Sequence, residues 1–429
     1  MRLRTHVFIA LMLFPPTPIL GAVPGAADVS GASRSEETLR LETLVREAME
    51  RNPEIQAARR AIDAKRARVP QARAWSDPRV SFSYAGNLLP LTLMRADPSS
   101  ARELMAEQEI PYPGKTRLRS EIAARDADAE SLAYEAVERQ VAAEVKQAYF
   151  DLYFVDRSLS ILQQNRELLR TFEKITETRY SVGKAAQQDV LRAQVEISKL
   201  VERQTLLEES RRSFEARLNS LRDLPVDGPV GSPGEVRPSA LALSLADLLA
   251  AAQSNYPALK QQRTIVEGNR AGVELARREV HPDFSVGYLY MQRDALPDMK
   301  GITFSTTLPI FRRHKQNQAI VEAVANLDSS QRTEENELTT VRYQVKQEYL
   351  QAQAASDLMT LYSKAILPQS SLTMESSLSS YEVGTADFLT VLSNFATVLD
   401  YQVAYQEQLA SHEKALARLE ELTALDLIH

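Results

Sequence analysis

Apolar and polar residues alternate in two stretches of the chain. The apolar positions are Val80, Phe82 and Tyr84 in the first stretch, and Phe284, Val286, Tyr288, Tyr290, Ile302, Phe304 and Leu308 in the second. Most of the positions between them carry Ser, Thr or Gly. A return strand in the first stretch, over residues 102–110, has a weaker and more charged pattern. The period of two predicts strand pairs with one apolar and one polar face.

A second pattern, with apolar residues about every 3.6 positions, predicts very long helices. From Lys115 to Tyr180 the chain contains neither Gly nor Pro, and apolar residues follow this spacing between Val137 and Leu162. At 1.5 Å per residue, one helix over this range would be about 100 Å long. The matching segment, 315–381, contains Pro368, where a helix could break and restart.

Each long helical segment is predicted to end at a glycine and to turn back. Gly183 and Gly384 follow the two segments, and glycine ends a helix readily because it tolerates a positive φ. Returning helices are predicted over about residues 188–221 and 387–422. The result would be two hairpins of long antiparallel helices.

These elements occur twice in the same order. Pro78 and Pro282 open matching strands 204 residues apart, VKQAYF recurs as VKQEYL 200 residues later, and YSVG recurs as YEVG after 201 residues. A period this long indicates duplication of one half of the chain, because solenoid units run to only about 20 to 50 residues. We expect a first repeat over residues 38–222, a Pro- and Gly-rich linker over 223–240 and a second repeat over 241–425.

Residues 1–27 have the pattern of a secretory signal peptide. Arg2 and Arg4 precede a short apolar core, and small residues follow it. Because the chain contains no Cys, we expect neither a disulfide nor a cysteine lipid anchor. Removal of the segment takes away two Arg, so the formal charge changes from -6 to -8. An acidic, exported chain argues against nucleic acid as a partner.

The strands have the length and alternation of membrane-spanning β-strands, about 9 to 11 residues each. Four strands cannot close, since a small barrel needs about eight, whereas a ring of three subunits would supply twelve. Trp75, Tyr112 and Phe311 flank the strand ends, where an aromatic girdle would lie. The alternation alone equally allows two hairpins of a soluble domain.

Four motifs together resemble a known family. They are NPEI at 52–55, DPRVSFSY at 77–84, QEIPYPGK at 108–115 and RYSVGKAAQQDVLRAQVE at 179–196. Their order resembles that of the outer-membrane efflux ducts, the family whose best-known member is TolC. The resemblance covers nearly the whole chain after the signal segment, and the RYxVG tip followed by DVLRAQ is its most specific part.

The resemblance implies a fold class and partners. The fold would be an α+β membrane protein in which long antiparallel α-helical hairpins form a periplasmic tunnel. Four β-strands per chain would contribute to the twelve-stranded transmembrane β-barrel of a homotrimer. The function would be that of a passive exit duct in the outer membrane. A periplasmic adaptor, or membrane fusion protein, would dock on it and connect it to an inner-membrane efflux pump.

The resemblance also places function at the helical tip. Tyr180, Gly183, Tyr381 and Gly384 would lie where the adaptor docks. Family members often carry acids just beyond the second glycine, but here Thr390 and Ser393 occupy those positions. Asp387 and Asp189 are the candidate acids of the entrance. Alternatively, these two aspartates cap the returning helices, and both roles are compatible.

The sequence gives no sign of catalysis. The GKT at 114–116 lacks the upstream glycine of a phosphate loop, because Glu109 occupies that position, and the five His residues never fall at i,i+4 on one helix. We expect no enzyme activity, no cofactor and no metal site. A periplasmic adaptor would normally have only one hairpin, and a coiled-coil scaffold would not need matched alternating strands. These two classes are the alternatives to the duct.

Overall fold

The structure, a computed structural model, describes residues 39–95, 97–294 and 296–428. The predicted signal peptide, residues 1–27, lies outside these residues. The first half of the described chain contains α1 (Leu41–Arg51), α2 (Pro53–Arg73), β1 (Arg79–Ala85), β2 (Asn87–Leu88), β3 (Leu91–Thr92), β4 (Ala101–Ile110), α3 (Lys115–Ser181) and α4 (Gln187–Leu221). The second half contains α5 (Leu245–Asn255), α6 (Pro257–Arg278), β5 (Phe284–Gln292), β6 (Met299–Thr306), α7 (Gln316–Leu361), α8 (Leu367–Glu382) and α9 (Phe388–Thr423).

The long helices begin and end close to the predicted positions. Helix α3 is one uninterrupted helix of 67 residues. Its counterpart is divided, because a π-helical turn, Tyr362–Ile366, separates α7 from α8 just before Pro368. Proline has no N–H to donate, and its ring crowds the carbonyl group four residues earlier, so the widened turn lies where the helix cannot hydrogen-bond normally.

The four long strands form one antiparallel sheet in the order β1-β4-β5-β6. β4 pairs with β5 over nine residues, from Arg102 opposite Gln292 to Ile110 opposite Phe284, and this pairing joins the two halves of the chain. β2 and β3, which lie between β1 and β4 in the sequence, form a separate small pair. Leu308, predicted within the last strand, lies outside it. Because β5 begins at Phe284, opposite Thr306, β6 has no partner strand beyond that residue.

Helix α3 lies at the centre of the helical layer. Its N-terminal part packs against α2 and α6, and its C-terminal part packs against α4 and α9. The apolar core follows this helix in two clusters. One surrounds Val145 and Leu152 near α1, and the other surrounds Leu169 and Phe395 towards the glycine turns.

The segment between α4 and α5 crosses the middle of the helical layer without regular secondary structure. The Leu39 N–H donates to the Ser232 carbonyl oxygen at 3.1 Å, and the Ser239 N–H donates to Glu413 Oε1 at 2.7 Å. The ring of His412 lies between the carbonyl oxygens of Ala352 and Ser239, 2.8 Å from each. These contacts bind the segment to the residues before α1 and to α9 of the second hairpin.

No helix in the described part of the chain is both long and apolar enough to cross a bilayer.

Candidate functional site

The strand register places the predicted apolar residues on one face of the sheet. Ala106 of β4 lies between Val80 of β1 and Tyr288 of β5. Leu104 lies in the same way between Phe82 and Tyr290. On β6, Ile302 lies opposite Tyr288. This face is open to the surroundings, and the side chain of Phe304 is 77% exposed. Phe284, Val286 and Tyr84 share the same face. So large an exposed apolar surface indicates contact with lipid or with another protein.

The opposite face of the same sheet is polar at the end nearer the helices, whereas further along it lie Met105, Leu289, Met291 and Met299. Ser285 Oγ donates to Glu107 Oε1 at 2.6 Å and lies 2.6 Å from Ser305 Oγ. On the neighbouring strand pair, Ser83 Oγ donates to Glu103 Oε2 at 3.4 Å. The hydroxyl and carboxylate groups give this face a surface that water can solvate.

Both edges of the sheet are open within the described residues. β1 pairs there with β4 alone, and β6 pairs with β5 alone. An open strand edge presents unpaired N–H and C=O groups, which cost several kcal/mol each in a hydrocarbon environment. The sheet therefore needs strands from outside this chain if its apolar face is in lipid.

The junction between the sheet and the helices contains a buried lysine. Lys115, the first residue of α3, is 2% exposed at its side chain and forms ion pairs with Asp283 at 2.9 Å and Glu279 at 3.0 Å. Its Nζ also donates to the His281 carbonyl oxygen at 2.8 Å, and the ring of Tyr112 stacks on His281 with centroids 4.4 Å apart. These contacts fix the end of α6 and the start of β5 against the start of α3.

The environment of Asp283 keeps its carboxylate charged. Partial burial alone would raise the pKa of Asp283, but the Lys115 ammonium and the hydrogen bond from the Tyr112 N–H lower it below its ordinary value of 3.8. The Tyr112 N–H donates to Asp283 Oδ1 at 2.6 Å. Sequence reasoning used Lys115 as the start of a helix and as a motif residue, and it missed this cluster.

The other end of the molecule carries the two glycine turns. Gly183 has φ 73° and Gly384 has φ 83°, so both residues adopt the left-handed conformation that glycine accommodates without a steric penalty. The two tip tyrosines are not equivalent, since Tyr180 is 47% exposed and Tyr381 only 6%. Of this pair, the exposed Tyr180 is the better candidate for contact with another protein.

Arg179 joins the two hairpins at this tip. Its Nη1 donates to the carbonyl oxygens of Tyr381 at 2.6 Å and Glu382 at 2.9 Å. The guanidinium carbon also lies 4.6 Å from the centroid of the Tyr381 ring, within range of a cation–π interaction. Sequence reasoning missed this contact, although Arg179 is not repeated in the second half, where Ser380 occupies the equivalent position.

The two candidate entrance acids have different local roles. Asp387 is the N-cap of α9, where its Oδ1 accepts from the Thr390 N–H at 2.8 Å. Hydrogen bonds from the Thr390 hydroxyl and N–H lower the pKa of Asp387. Asp189 lies in the first turn of α4, whose N-cap is Ala186, and its side chain makes no capping hydrogen bond. The capping alternative therefore describes Asp387, and Asp189 contributes its charge to the helix N-terminus.

No group of three His, Cys, Asp or Glu side chains in the described residues lies close enough together to hold a metal ion.

Residues 44–222 match the model of a family described as "outer membrane efflux protein". This range contains the NPEI motif, both strands of the first pair and the RYSVG tip. The resemblance to the outer-membrane efflux ducts is confirmed. Efflux ducts of this family are channels and not enzymes.

A likeness in fold to solved outer-membrane channels extends over most of the chain. The outer-membrane channel OprN superposes with a TM-score of 0.78 at 17% identity, covering 89% of this chain and 89% of that chain. The outer-membrane protein VceC of Vibrio cholerae gives 0.77 at 16% identity, covering 89% and 95%. The CmeC outer-membrane channel of Campylobacter jejuni gives 0.72 at 17% identity, covering 95% and 94%. No curated protein sequence matches the chain significantly. At these identities the structural likeness shows the fold.

Proposed function

We propose that the chain is one third of a homotrimeric exit duct in the outer membrane. The observation that carries this proposal is a four-stranded sheet with two open edges and an exposed apolar face, continuous with helices of a length suited to a tunnel. Three copies would close the sheet into twelve strands. The apolar face would then contact lipid, and the face with Ser285, Ser305 and Glu107 would line a water-filled lumen.

The helical layer also has two open edges that three copies would close. At one edge, Leu191, Val195 and Leu206 form an exposed apolar stripe on α4, which packs within the chain mainly against α3. At the other edge, α8 exposes Leu372 and packs against α9. A head-to-tail ring would bring the α4 edge of one subunit against the α8 edge of the next.

The tip is the proposed docking place for a periplasmic adaptor. Beside Gly183 and Gly384, the residues Val182 and Val383 are largely exposed, as is Tyr180. Small apolar contacts around two glycine turns suit the packing of another helical hairpin. The adaptor would connect the duct to an inner-membrane efflux pump, and transport would be passive within this chain.

We also propose the division of the chain into repeats over residues 38–222 and 241–425, joined by the segment 223–240. The supporting observation is that the long elements occur in the same order on either side of that segment. If the chain were a periplasmic adaptor or a coiled-coil scaffold, the apolar face of the sheet would be exposed to water, which is unfavourable.

Labelling of single cysteines tests the duct directly, because the chain contains no Cys of its own. Phe304→Cys and Thr303→Cys lie on opposite faces of β6, one residue apart. In isolated outer membranes, a water-soluble maleimide is expected to label Thr303→Cys and to leave Phe304→Cys unlabelled. Equal labelling of both variants would mean that the sheet is not a wall between lipid and water.

A further inference from the structure

The contact of α3 with α6 shows how successive hairpins join. Helix α6 packs between α3, the long helix before it, and α7, the long helix after it. At the end near the sheet, the buried Lys115 at the start of α3 is covered by the junction between α6 and β5. Arg278 completes this contact, with its Nη1 donating to the Pro113 carbonyl oxygen at 3.1 Å.

The equivalent positions elsewhere in the chain are exposed. Lys315 stands 200 residues after Lys115, at the N-terminus of α7, and is open to solvent. The junction between α2 and β1 stands 204 residues before the junction between α6 and β5, with Trp75 equivalent to Glu279 and Asp77 to His281. Trp75 is 56% exposed, and Asp77 is exposed as well. The chain thus has an exposed counterpart of Lys115 at one edge of its helical layer. At the opposite edge it has an exposed counterpart of the junction between α6 and β5.

The exposed surface around Lys315 is basic, whereas the α2–β1 junction carries exposed carboxylates. Arg312, Arg313 and Lys315 lie within four residues, are all exposed, and make no ion pair with the described residues. Backbone hydrogen bonds hold this segment in a turn, with the Arg312 N–H donating to the Pro309 carbonyl oxygen at 3.2 Å and the His314 N–H to that of Phe311 at 3.0 Å. The cations are therefore presented on an ordered turn.

The α2–β1 junction is fixed in position and carries exposed carboxylates. Ser76 Oγ donates to Glu109 Oε2 at 3.3 Å, and Gln108 Nε2 donates to the Ser76 carbonyl oxygen at 2.8 Å, so β4 holds the junction in place. Asp77 and Glu109 are both exposed there. Arg79, the counterpart of Asp283 at the offset of 204 residues, is exposed as well and lies opposite Glu107 in the β1–β4 register.

We propose that residues 312–315 of one subunit dock on the Trp75–Asp77 junction of the next subunit, with Lys315 and the two arginines against Asp77, Glu109 and the ring of Trp75. The occupant of this surface is a second copy of the chain. The inference rests on the proposed ring of three subunits. It adds how neighbouring subunits align, because it places the N-terminal end of α7 of one subunit beside the C-terminal end of α2 of the next. The contact would differ from the Lys115 cluster in its charges, because Trp75, Asp77 and Arg79 stand where that cluster has Glu279, His281 and Asp283.

The absence of native Cys makes chemical cross-linking a clean test. The variant Asp77→Cys with Lys315→Cys is treated with a short bismaleimide, because a lysine–aspartate pair can hold its Cα atoms further apart than the about 7 Å that a disulfide tolerates. Covalent dimers and trimers are the expected products under denaturing conditions. The matched control is Arg60→Cys with Lys315→Cys, since Arg60 is an exposed residue of α2 far from the junction.

The outcomes separate this inference from the proposed function. If light scattering in detergent gives three chains and the Asp77 pair cross-links while the Arg60 pair does not, both hold. If three chains are found and the Asp77 pair gives only monomers, the docking is wrong and the trimer stands. If the native protein is a monomer, the proposed ring fails and the docking fails with it.

A charge change gives a second, independent measurement. Asp77→Lys is expected to lower the temperature at which the oligomer dissociates, whereas Asp63→Lys, an exposed change on α2, leaves it nearly unchanged. Equal dissociation temperatures for the two variants and the native protein would overturn the proposed contact.

Discussion

Arg179 lies over the ring of Tyr381 at 4.6 Å and donates to the carbonyl oxygen of the same residue at 2.6 Å. The two residues belong to different hairpins, so this contact closes the tip of the subunit across a gap in sequence of 202 residues. The carbonyl groups of Tyr381 and Glu382 are at the C-terminal end of α8, where a helix lacks donors of its own. The guanidinium therefore supplies a donor to Glu382, adds a second donor beside the Gly384 N–H at Tyr381, and ties the two hairpins together at the tip.

Replacing Arg179 should loosen the tip. In Arg179→Ala the Glu382 carbonyl oxygen loses its donor and the Tyr381 carbonyl oxygen keeps only the Gly384 N–H. The tie between the two hairpins is lost, so the entrance of the reconstituted duct is expected to open more often, with a larger mean single-channel conductance. Arg170→Ala removes only an exposed i,i+3 pair with Glu167 and serves as the control. Identical conductance in the two variants would show that Arg179 does not restrain the entrance.

Loss of Lys115 should destabilise the junction of sheet and helices. In Lys115→Met the carboxylates of Asp283 and Glu279 lose their buried cation, and breaking such a pair costs about 3 kcal/mol. Because both acids are partly exposed and can recover some hydration, the expected loss in the free energy of unfolding is smaller, about 2 kcal/mol. Thermal unfolding in detergent measures this loss of stability.

The control for that measurement is Lys65→Met. Lys65 lies 3.9 Å from the exposed Asp126, so its loss is expected to cost less than about 1 kcal/mol. A midpoint for Lys115→Met no lower than that of the control would contradict the structural role of the cluster.

The same cluster predicts how stability depends on pH. The folded-state pKa of Asp283 is lowered below 3.8, so its contribution is complete above about pH 4 and is lost as the pH falls through the folded value. The unfolding midpoint of the native protein should therefore fall more steeply below about pH 4 than that of Asp283→Asn. Parallel pH profiles of the two proteins would show that Asp283 is not coupled to folding.

Neutralising the candidate entrance acids should change ion selectivity. Three copies each of Asp189 and Asp387 would place six carboxylates around the opening, and a narrow opening strengthens their field. Asparagine is as good an N-cap as aspartate, so Asp387→Asn retains the start of α9 while removing the charge. The double variant Asp189→Asn with Asp387→Asn is expected to be less cation-selective in a bilayer recording. An unchanged reversal potential under a salt gradient would reject the acidic ring.

Much of the fold could be predicted because local sequence signals determine it. The absence of Gly and Pro after Lys115 gave the length of α3, and the two glycine turns gave the tip, since both features act within a few residues of the chain. The end of β6 was predicted too late at Leu308, because the end of a strand depends on where its partner begins.

The contacts of the candidate site were harder to predict. Lys115 meets Asp283 from 168 residues away in sequence, and Arg179 meets Tyr381 over a longer separation still. Such pairs depend on how the hairpins pack, and a single sequence does not encode this in any local pattern. The different exposure of Tyr180 and Tyr381, which occupy matching positions in the two motifs, arises for the same reason.

The central claim is that three copies close the open sheet in the outer membrane. The most direct measurement is the molar mass of the protein extracted from isolated outer membranes in mild detergent, by light scattering with the detergent contribution subtracted. A mass of three chains, each at most 48.0 kDa, is the predicted result. A monomer, or recovery of the protein in the soluble periplasmic fraction, would contradict the account.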